Sequence, residues 1–171
     1  MKRQRRHVLF LCTGNSARSI LAEAYLNARG RGQIIAHSAG SQPAGRINPF
    51  ALELLRKRRI PTEGLRSKSW DEFARPDAPR IDFVITVCDD AAGEGCPIWP
   101  GRPASAHWGV DDPASVQGTD AEKRAAFERA FSLLSTRIHL LLALPFDEFD
   151  RPGLKRQLAA IGRTGRENLS G

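Results

Sequence analysis

Short apolar runs alternate along the chain with longer segments in which apolar residues recur at helical spacing. The apolar runs predict strands at residues 7–12, 33–38, 82–87 and 104–108. The helical segments are residues 17–29, 50–59, 119–144 and 151–161, with a short amphipathic piece at 69–73. Strands that alternate with helices form a parallel sheet covered on both faces. The pattern therefore predicts the α/β class.

Length and composition predict a single soluble domain. The 171 residues fit one domain, residues 1–171, with an ordered core at about 7–161 and a loose tail after Gly162. Hydrophobic residues make up 41% and charged residues 26%, as in globular proteins. The apolar run after the basic N-terminus is too short for a signal peptide, and no stretch is long enough to cross a bilayer. We therefore expect a cytoplasmic protein without membrane association.

The net charge of +7 first suggests nucleic acid as a partner. However, the arginines are scattered, with acidic residues between many of them, and aromatic residues do not alternate with basic ones. This pattern is typical of solvated basic faces that also attract small anions. The expected partner is thus a small anion and not a nucleic acid.

The turn after the first strand carries the strongest chemical signal. Residues 12–19 read CTGNSARS, and a loop between a strand and a helix can direct its N–H groups at an anion. The oxyanion-binding candidates are Thr13, Gly14, Asn15, Ser16, Ala17 and Arg18. Cys12 is the candidate nucleophile, and the helix N-terminus and Arg18 should lower its pKa. Arg18 can hold two anion oxygens at once, and Ser19 can donate to the Cys12 sulfur.

Three cysteines without an export signal suggest thiol chemistry more than a disulfide scaffold. Cys12 and Cys88 each follow a predicted strand, and ligands of parallel sheets bind at that edge. If the two strands are neighbours, both sulfurs face one crevice. Cys88 begins the segment CDDAAGEGC, which ends at Cys96, and its glycines favour rearrangement. The simpler alternative is that Cys88 is a buried apolar residue and Cys96 an incidental loop thiol.

A candidate general acid lies in residues 107–114, HWGVDDPA, after the last predicted strand. An acid must reach the leaving oxygen from the same sheet edge, and Asp112, held by Pro113, is the better candidate. Asp111 is the alternative acid, and His107 is expected to be structural. Asp-Asp-Pro is also common simply as a turn that leads into a helix.

Taken together, residues 8–19, the segment from Cys88 to Cys96 and residues 107–114 resemble arsenate reductases of the low-molecular-weight phosphatase type. The resemblance covers residues 7–161 and implies a four-stranded parallel sheet. It also implies Cys12 as nucleophile, Arg18 as oxyanion clamp and Asp112 as general acid. Cys88 and Cys96 would be the resolving pair in a disulfide relay. No cofactor or catalytic metal is required, and electrons would come from thioredoxin, glutaredoxin or a low-molecular-weight thiol.

Some details of the resemblance separate the possible activities. Related tyrosine phosphatases usually have an aromatic residue and a loop cysteine where this chain has Ala114 and Ala17. The expected reaction is thus reduction of arsenate to arsenite with residual phosphatase activity. The alternatives are a phosphotyrosine phosphatase and a redox-sensing or anion-binding module.

Two further details bear on the electron donor and on bound ions. Cys88 and Cys96 lie one residue farther apart than is usual in the thioredoxin-coupled branch, which leaves the final donor open. Some family members bind potassium near the loop, at positions that Asn15, Glu23 and Ser38 could match.

Overall fold

The computed structural model describes residues 5–88 and 103–165. Its four strands form one parallel sheet in the order β2-β1-β3-β4. The strands are β1 (Arg6–Cys12), β2 (Ile34–Gly40), β3 (Phe83–Thr86) and β4 (Ala104–His107). The predicted α/β class and four-stranded parallel sheet are confirmed.

Three of the four described α-helices begin at a residue whose side chain caps them. The four are α1 (Arg18–Arg29), α2 (Pro49–Lys57), α3 (Asp120–Leu142) and α4 (Arg151–Arg163). Asn48 accepts from the backbone N–H of Phe50 ahead of α2, and Thr119 and Glu122 form a capping box ahead of α3. Short 3-10 helices lie at Trp70–Phe73, Pro113–Ser115 and Phe146–Glu148.

The end of α4 differs from the prediction. The helix runs to Arg163, two residues beyond the predicted end, and the carbonyl of Thr164 accepts a hydrogen bond from Arg137. The helix therefore includes Gly162 and Arg163, and the predicted loose tail beyond residue 165 lies outside the described residues. This hydrogen bond to Thr164 comes from a residue of α3, so the sequence pattern around residue 162 gives no sign of it.

The sheet packs on both faces. Val8, Phe10 and Cys12 of β1 contribute to a large core with residues of all four α-helices. Leu9 and Leu11 point to the opposite face and pack with Phe73 of the 3-10 helix Trp70–Phe73. A central parallel strand is buried on both sides, which explains why β1 reads as an uninterrupted apolar run. Within 5–88 and 103–165, no helix combines the length and apolar character that a membrane span needs.

The strand order brings the predicted chemistry to one edge. β1 and β3 are neighbours, and the backbone N–H of Val87 donates to the Leu11 carbonyl at 2.9 Å. Cys12 ends β1, and Cys88 lies two residues beyond the end of β3. The carboxyl edge of the sheet therefore carries both cysteines side by side.

Candidate active site

Residues 12–19, called the anion loop here, connect β1 to the N-terminus of α1. The helix begins at Arg18, and its N-cap is Ala17, which makes no side-chain capping hydrogen bond. The first N–H groups of a helix have no partners within it. An alanine cap therefore leaves these donors, with the partial positive charge of the helix end, for an anion.

The carbonyl groups of the anion loop are held by a flanking segment, residues 42–48. The pairs are Gln42 N with Thr13 O, Ala44 N with Gly14 O and Asn48 N with Ser16 O, each at 2.9 Å. In a trans peptide the C=O and the next N–H point in opposite directions. The N–H groups of Gly14, Asn15 and Ala17 are therefore directed away from the flanking segment. This is the orientation that an oxyanion site requires.

Asn15 fixes the shape of the loop from inside. It is fully buried with a φ of 46°, a left-handed conformation that asparagine tolerates better than most residues. Its side-chain amide donates to Ser19 Oγ at 2.8 Å, and its oxygen accepts from the backbone N–H of Lys68 at 2.9 Å. The Ser19 hydroxyl thus accepts from Asn15, and its donation to Cys12 stays a prediction.

The end of β2 packs directly on the anion loop at Gly40. A Cβ at this position would lie 2.4 Å from the carbonyl oxygen of Thr13 and 2.8 Å from that of Cys12. Real Cβ atoms do not approach backbone oxygens so closely. Glycine is therefore required for the close packing of β2 against the loop.

Cys12 and Cys88 are both buried thiols, in hydrogen-bond contact with each other. The backbone N–H of Thr13 donates to Cys88 Sγ at 3.3 Å, and Thr13 Oγ1 lies 3.6 Å from the same sulfur. A sulfur that accepts an N–H hydrogen bond is stabilised in its thiolate form. The site therefore holds two sulfurs in contact, next to the donors of the anion loop.

The pKa of Cys12 is shifted in the direction opposite to the prediction. The hydrogen bond with Cys88 and burial raise the pKa of the Cys12 thiol, and these two effects outweigh Arg18 and the Thr13 N–H, which lower it. The sequence indicated both lowering groups but not the contact with Cys88. Two adjacent thiols release their protons as a coupled pair, so the second ionisation is the difficult one.

Arg18 and Asp112 meet at the opening of the anion loop. Arg18 Nη1 donates to the Val110 carbonyl at 2.8 Å, and Nη2 lies 3.7 Å from Asp112 Oδ2. The Asp112 side chain is 40% exposed and also accepts from the backbone N–H of Ala114, at the start of a 3-10 turn. Asp112 is therefore both a turn-capping residue and a carboxyl group beside the anion clamp. Asp111 is exposed.

Comparisons with known proteins agree with this geometry. The family model described as low molecular weight phosphotyrosine protein phosphatase matches residues 7–151. The chain belongs to this family. It is 38% identical to an arsenate reductase of Bacillus licheniformis, across 77% of this chain and 91% of that protein. The predicted resemblance to arsenate reductases of this family is confirmed.

Solved structures of similar fold include arsenate reductases. One from Archaeoglobus fulgidus is 27% identical with a TM-score of 0.63, and the match covers 80% of this chain and 99% of that one. A thioredoxin-dependent arsenate reductase of Corynebacterium glutamicum is 25% identical with a TM-score of 0.59. That match covers 82% of this chain and only 62% of the Corynebacterium chain.

Of the remaining predicted residues, His107 lies in the described part of the chain and Cys96 does not. His107 Nδ1 lies 2.7 Å from Thr86 Oγ1 on the neighbouring strand, which fits the structural role expected for this histidine. Cys96 lies outside the described residues, as does the rest of the segment that joins it to Cys88.

The residues compared with the family's potassium site surround a lysine in this chain. Ser38 donates to Glu23, and Lys68 Nζ lies 3.6 Å from Glu23 Oε1, with both side chains of the ion pair largely buried. Burial raises the pKa of Glu23 and lowers that of Lys68. Because the lysine already supplies the positive charge, these residues do not fit a potassium ion. Within the described residues, no three His, Cys, Asp or Glu side chains form a metal-binding group.

Sequence reasoning missed Lys68 and the 42–48 segment, although both support the anion loop directly. Lys68 donates through its backbone N–H to Asn15, and its carbonyl accepts from Gly40. Neither residue 68 nor residues 42–48 belong to a periodic element. The Gly/Pro composition of residues 40–49 indicated only a loop.

Proposed function

We propose that this chain is an arsenate reductase that works through a disulfide relay of Cys12, Cys88 and Cys96. The observation that carries the proposal is the contact between the thiols of Cys12 and Cys88 beside the anion loop. A phosphatase of this family needs one sulfur and a water molecule, whereas a reductase needs a second sulfur within reach of the first. The curated relatives named arsenate reductase support the same activity.

Arsenate would bind in the anion loop as a tetrahedral oxyanion. The N–H groups of the loop and of the first turn of α1 receive its oxygens, and Arg18 holds two of them with its planar guanidinium. The contact of Arg18 with the Val110 carbonyl fixes the direction of the side chain before the substrate arrives. Phosphate has nearly the same shape and charge, so binding alone does not select arsenate.

Cys12 then attacks arsenic. Before the attack the Cys12–Cys88 pair has lost one proton to solvent; the proton that remains lies on the Cys88 sulfur, and Arg18 stabilises the Cys12 thiolate. An As–S bond forms while an arsenic–oxygen bond breaks, and Asp112 gives a proton to the departing hydroxide, which leaves as water. The position of Asp112 beside Arg18 supports this role.

The redox step follows at the sulfur of Cys12. Cys88 gives its proton to an oxygen of the arsenic group, helped by the Thr13 N–H, which stabilises the thiolate, and this thiolate attacks Cys12 Sγ. The new S–S bond forms as the As–S bond breaks, and that electron pair stays on arsenic, which leaves as arsenite. Cys96 then attacks Cys88, which restores the Cys12 thiolate and leaves a Cys88–Cys96 disulfide. Phosphorus does not accept the electron pair, so this step selects arsenate.

A dithiol donor of the thioredoxin type, glutaredoxin or a low-molecular-weight thiol would reduce the Cys88–Cys96 disulfide. The thioredoxin-dependent relative from Corynebacterium glutamicum supports the first of these. No further cofactor enters the scheme, and a reducing compartment such as the cytoplasm suits it. Residues 1–171 act as one catalytic domain, with neither nucleic acid nor membrane as a partner.

The test is arsenite production with thioredoxin, thioredoxin reductase and NADPH under multiple turnover. We expect turnover by the wild type and loss of turnover in Cys88→Ser and in Cys96→Ser, which remove one relay sulfur each. Mass mapping after one turnover should find the Cys88–Cys96 disulfide. Cys12→Ser, which removes the nucleophile, serves as the inactive reference.

The same variants distinguish the phosphatase alternative. If Cys88→Ser and Cys96→Ser keep full activity on phosphotyrosine and the wild type makes no arsenite, water resolves the intermediate and the relay is wrong. If no oxyanion is turned over at all, the thiols act as a switch or the loop only binds anions. Either result would overturn the proposed function.

A further inference from the structure

Arg137 is a fully buried charged side chain in the middle of α3, far along the sequence from the anion loop. Its Nη1 donates to the Gly109 carbonyl at 3.1 Å, and its Nε donates to the Thr164 carbonyl at 3.2 Å. The first acceptor lies in residues 107–114, called the acid loop here because they contain Asp112. The second lies at the C-terminal end of α4. One guanidinium therefore connects α3, α4 and the acid loop.

The start of the acid loop is packed closely against α4. Trp108 is fully buried, and its Nε1 donates to the Leu158 carbonyl at 2.9 Å. A Cβ on Gly162 would lie 2.4 Å from the His107 carbonyl oxygen, so the helix approaches the loop backbone as closely as a glycine allows. Arg137 also bonds to both sides of this contact, and its planar guanidinium holds the two donors in a fixed relative orientation.

Consecutive carbonyls of the acid loop are held from different helices. Arg137 of α3 holds the Gly109 carbonyl, and Arg18 of α1 holds the Val110 carbonyl. The N–H of Val110 also donates to the Val87 carbonyl at 3.0 Å. Asp112 lies two residues farther on, with Oδ2 at 3.7 Å from Arg18 Nη2. The hydrogen bonds at Gly109 and Val110 thus fix the backbone just before Asp112 and so determine where its carboxyl group lies.

We infer that Arg137 is a positioning residue for the general acid: it holds the acid loop at Gly109 so that Asp112 lies beside Arg18 and a bound oxyanion. The inference rests on the role of Asp112 in the proposed function. Arg137 donates to the carbonyls of Gly109 and Thr164, which both lie outside the anion loop. Its substitution should therefore slow proton donation and leave oxyanion binding almost unchanged. Small displacements of a catalytic group lower rates by up to about 100-fold.

The test is a double-mutant cycle on single-turnover arsenate reduction, with reduced enzyme in excess and arsenite as the product measured. The variants are Arg137→Met, Asp112→Asn and the combination of both. We expect Arg137→Met to slow arsenite formation about tenfold or more, with the dissociation constant for arsenate changed less than about threefold. In the Asp112→Asn background, the same substitution should change the rate by less than about twofold, since residues that act through one another are not additive.

Arg129→Met is the matched control, because Arg129 lies on the same helix but is exposed. Arg137→Lys keeps the charge and can reach one carbonyl, so it should recover part of the lost rate. If Arg137→Met does not fold, Trp108→Phe replaces it in the cycle, since it keeps an aromatic ring but removes the Nε1 donor to Leu158 and part of the buried indole at the start of the same loop.

The outcomes are distinct. Equal slowing in the wild-type and Asp112→Asn backgrounds, or no slowing in either, overturns the inference while leaving the relay intact. If Asp112→Asn itself reduces arsenate at the wild-type rate, the acid assignment in the proposed function is wrong, and the positioning role falls with it. If Arg137→Met slows arsenite formation in the wild-type background but not in the Asp112→Asn background, the result supports both the acid role of Asp112 and the positioning role of Arg137.

Discussion

The hydrogen bond between Cys12 and Cys88 has a measurable consequence for how readily Cys12 ionises. Because this bond is the largest cause of the raised Cys12 pKa, Cys88→Ala should lower that pKa and leave Arg18 and the Thr13 N–H to favour the thiolate. The measurement is the rate of iodoacetamide alkylation against pH in a Cys96→Ser background. In that background the variant has Cys12 as its only thiol. The alkylation profile should move to lower pH, and an unchanged or higher midpoint would show that burial alone controls Cys12.

At the scale of single residues, candidate site residues could be predicted from the sequence, but the interactions between them could not. Cys12, Arg18 and Asp112 could be predicted because the loop between β1 and α1 and the Asp-Pro turn are local patterns. The effect of Cys88 on Cys12 and the support of Asn15 by Lys68 arise between residues more than fifty positions apart. No local spacing shows such contacts, so the direction of the Cys12 pKa was predicted wrongly.

At the scale of elements, a pair of histidines connects β1 and β2. His7 Nδ1 lies 2.9 Å from His37 Nε2, and the two rings are stacked with centroids 5.2 Å apart. Burial first, and then the charges of His7 and Lys68, lower the pKa of His37 from 6.5 to about 4. Protonation of His37 is therefore unfavourable in the folded protein.

This pair predicts a pH dependence of stability. The folded pKa of His37 lies below its unfolded value, so its contribution is present above about pH 6.5 and is lost as the pH falls toward 4. Between pH 7 and pH 4.5 the free energy of unfolding should fall by about 1–2 kcal/mol from this group, after allowance for partial exposure of the ring. Urea unfolding at both pH values tests this. The free energy of unfolding should fall less in His37→Gln than in the wild type. The control is His139→Gln, which changes a histidine of α3 and should show the wild-type fall; equal falls in all three proteins would contradict the assignment.

The elements themselves were largely readable from the sequence. Residues 8–12 of β1 and 83–85 of β3 form short apolar runs, as buried parallel strands do, and α2 and α3 begin at capping residues that the sequence contains. The extension of α4 to Arg163 was not readable, because Arg137 supplies the contact there from α3. Local patterns thus predicted the elements, and tertiary contacts decided how far α4 extends.

Across the whole molecule, the anion loop contacts several separate parts of the fold. It begins at the end of β1, continues into α1, and is held by residues 42–48, while Arg18 reaches the acid loop. A ligand that binds this folded arrangement and not the unfolded chain stabilises the whole domain by mass action. Ligand binding and global stability are therefore linked.

Arsenate or phosphate should accordingly raise the melting temperature. At 100 times the dissociation constant the gain is about 2.7 kcal/mol, or about 5–10 °C for a domain of this size. The net charge of +7 means that any salt also screens repulsion, so sodium chloride at equal ionic strength is the reference. Thermal unfolding of the wild type should show the extra increase with arsenate and phosphate alike, because the loop recognises shape and charge. Arg18→Gln should lose most of that increase, and an equal increase in chloride would mean that the loop is not an oxyanion site.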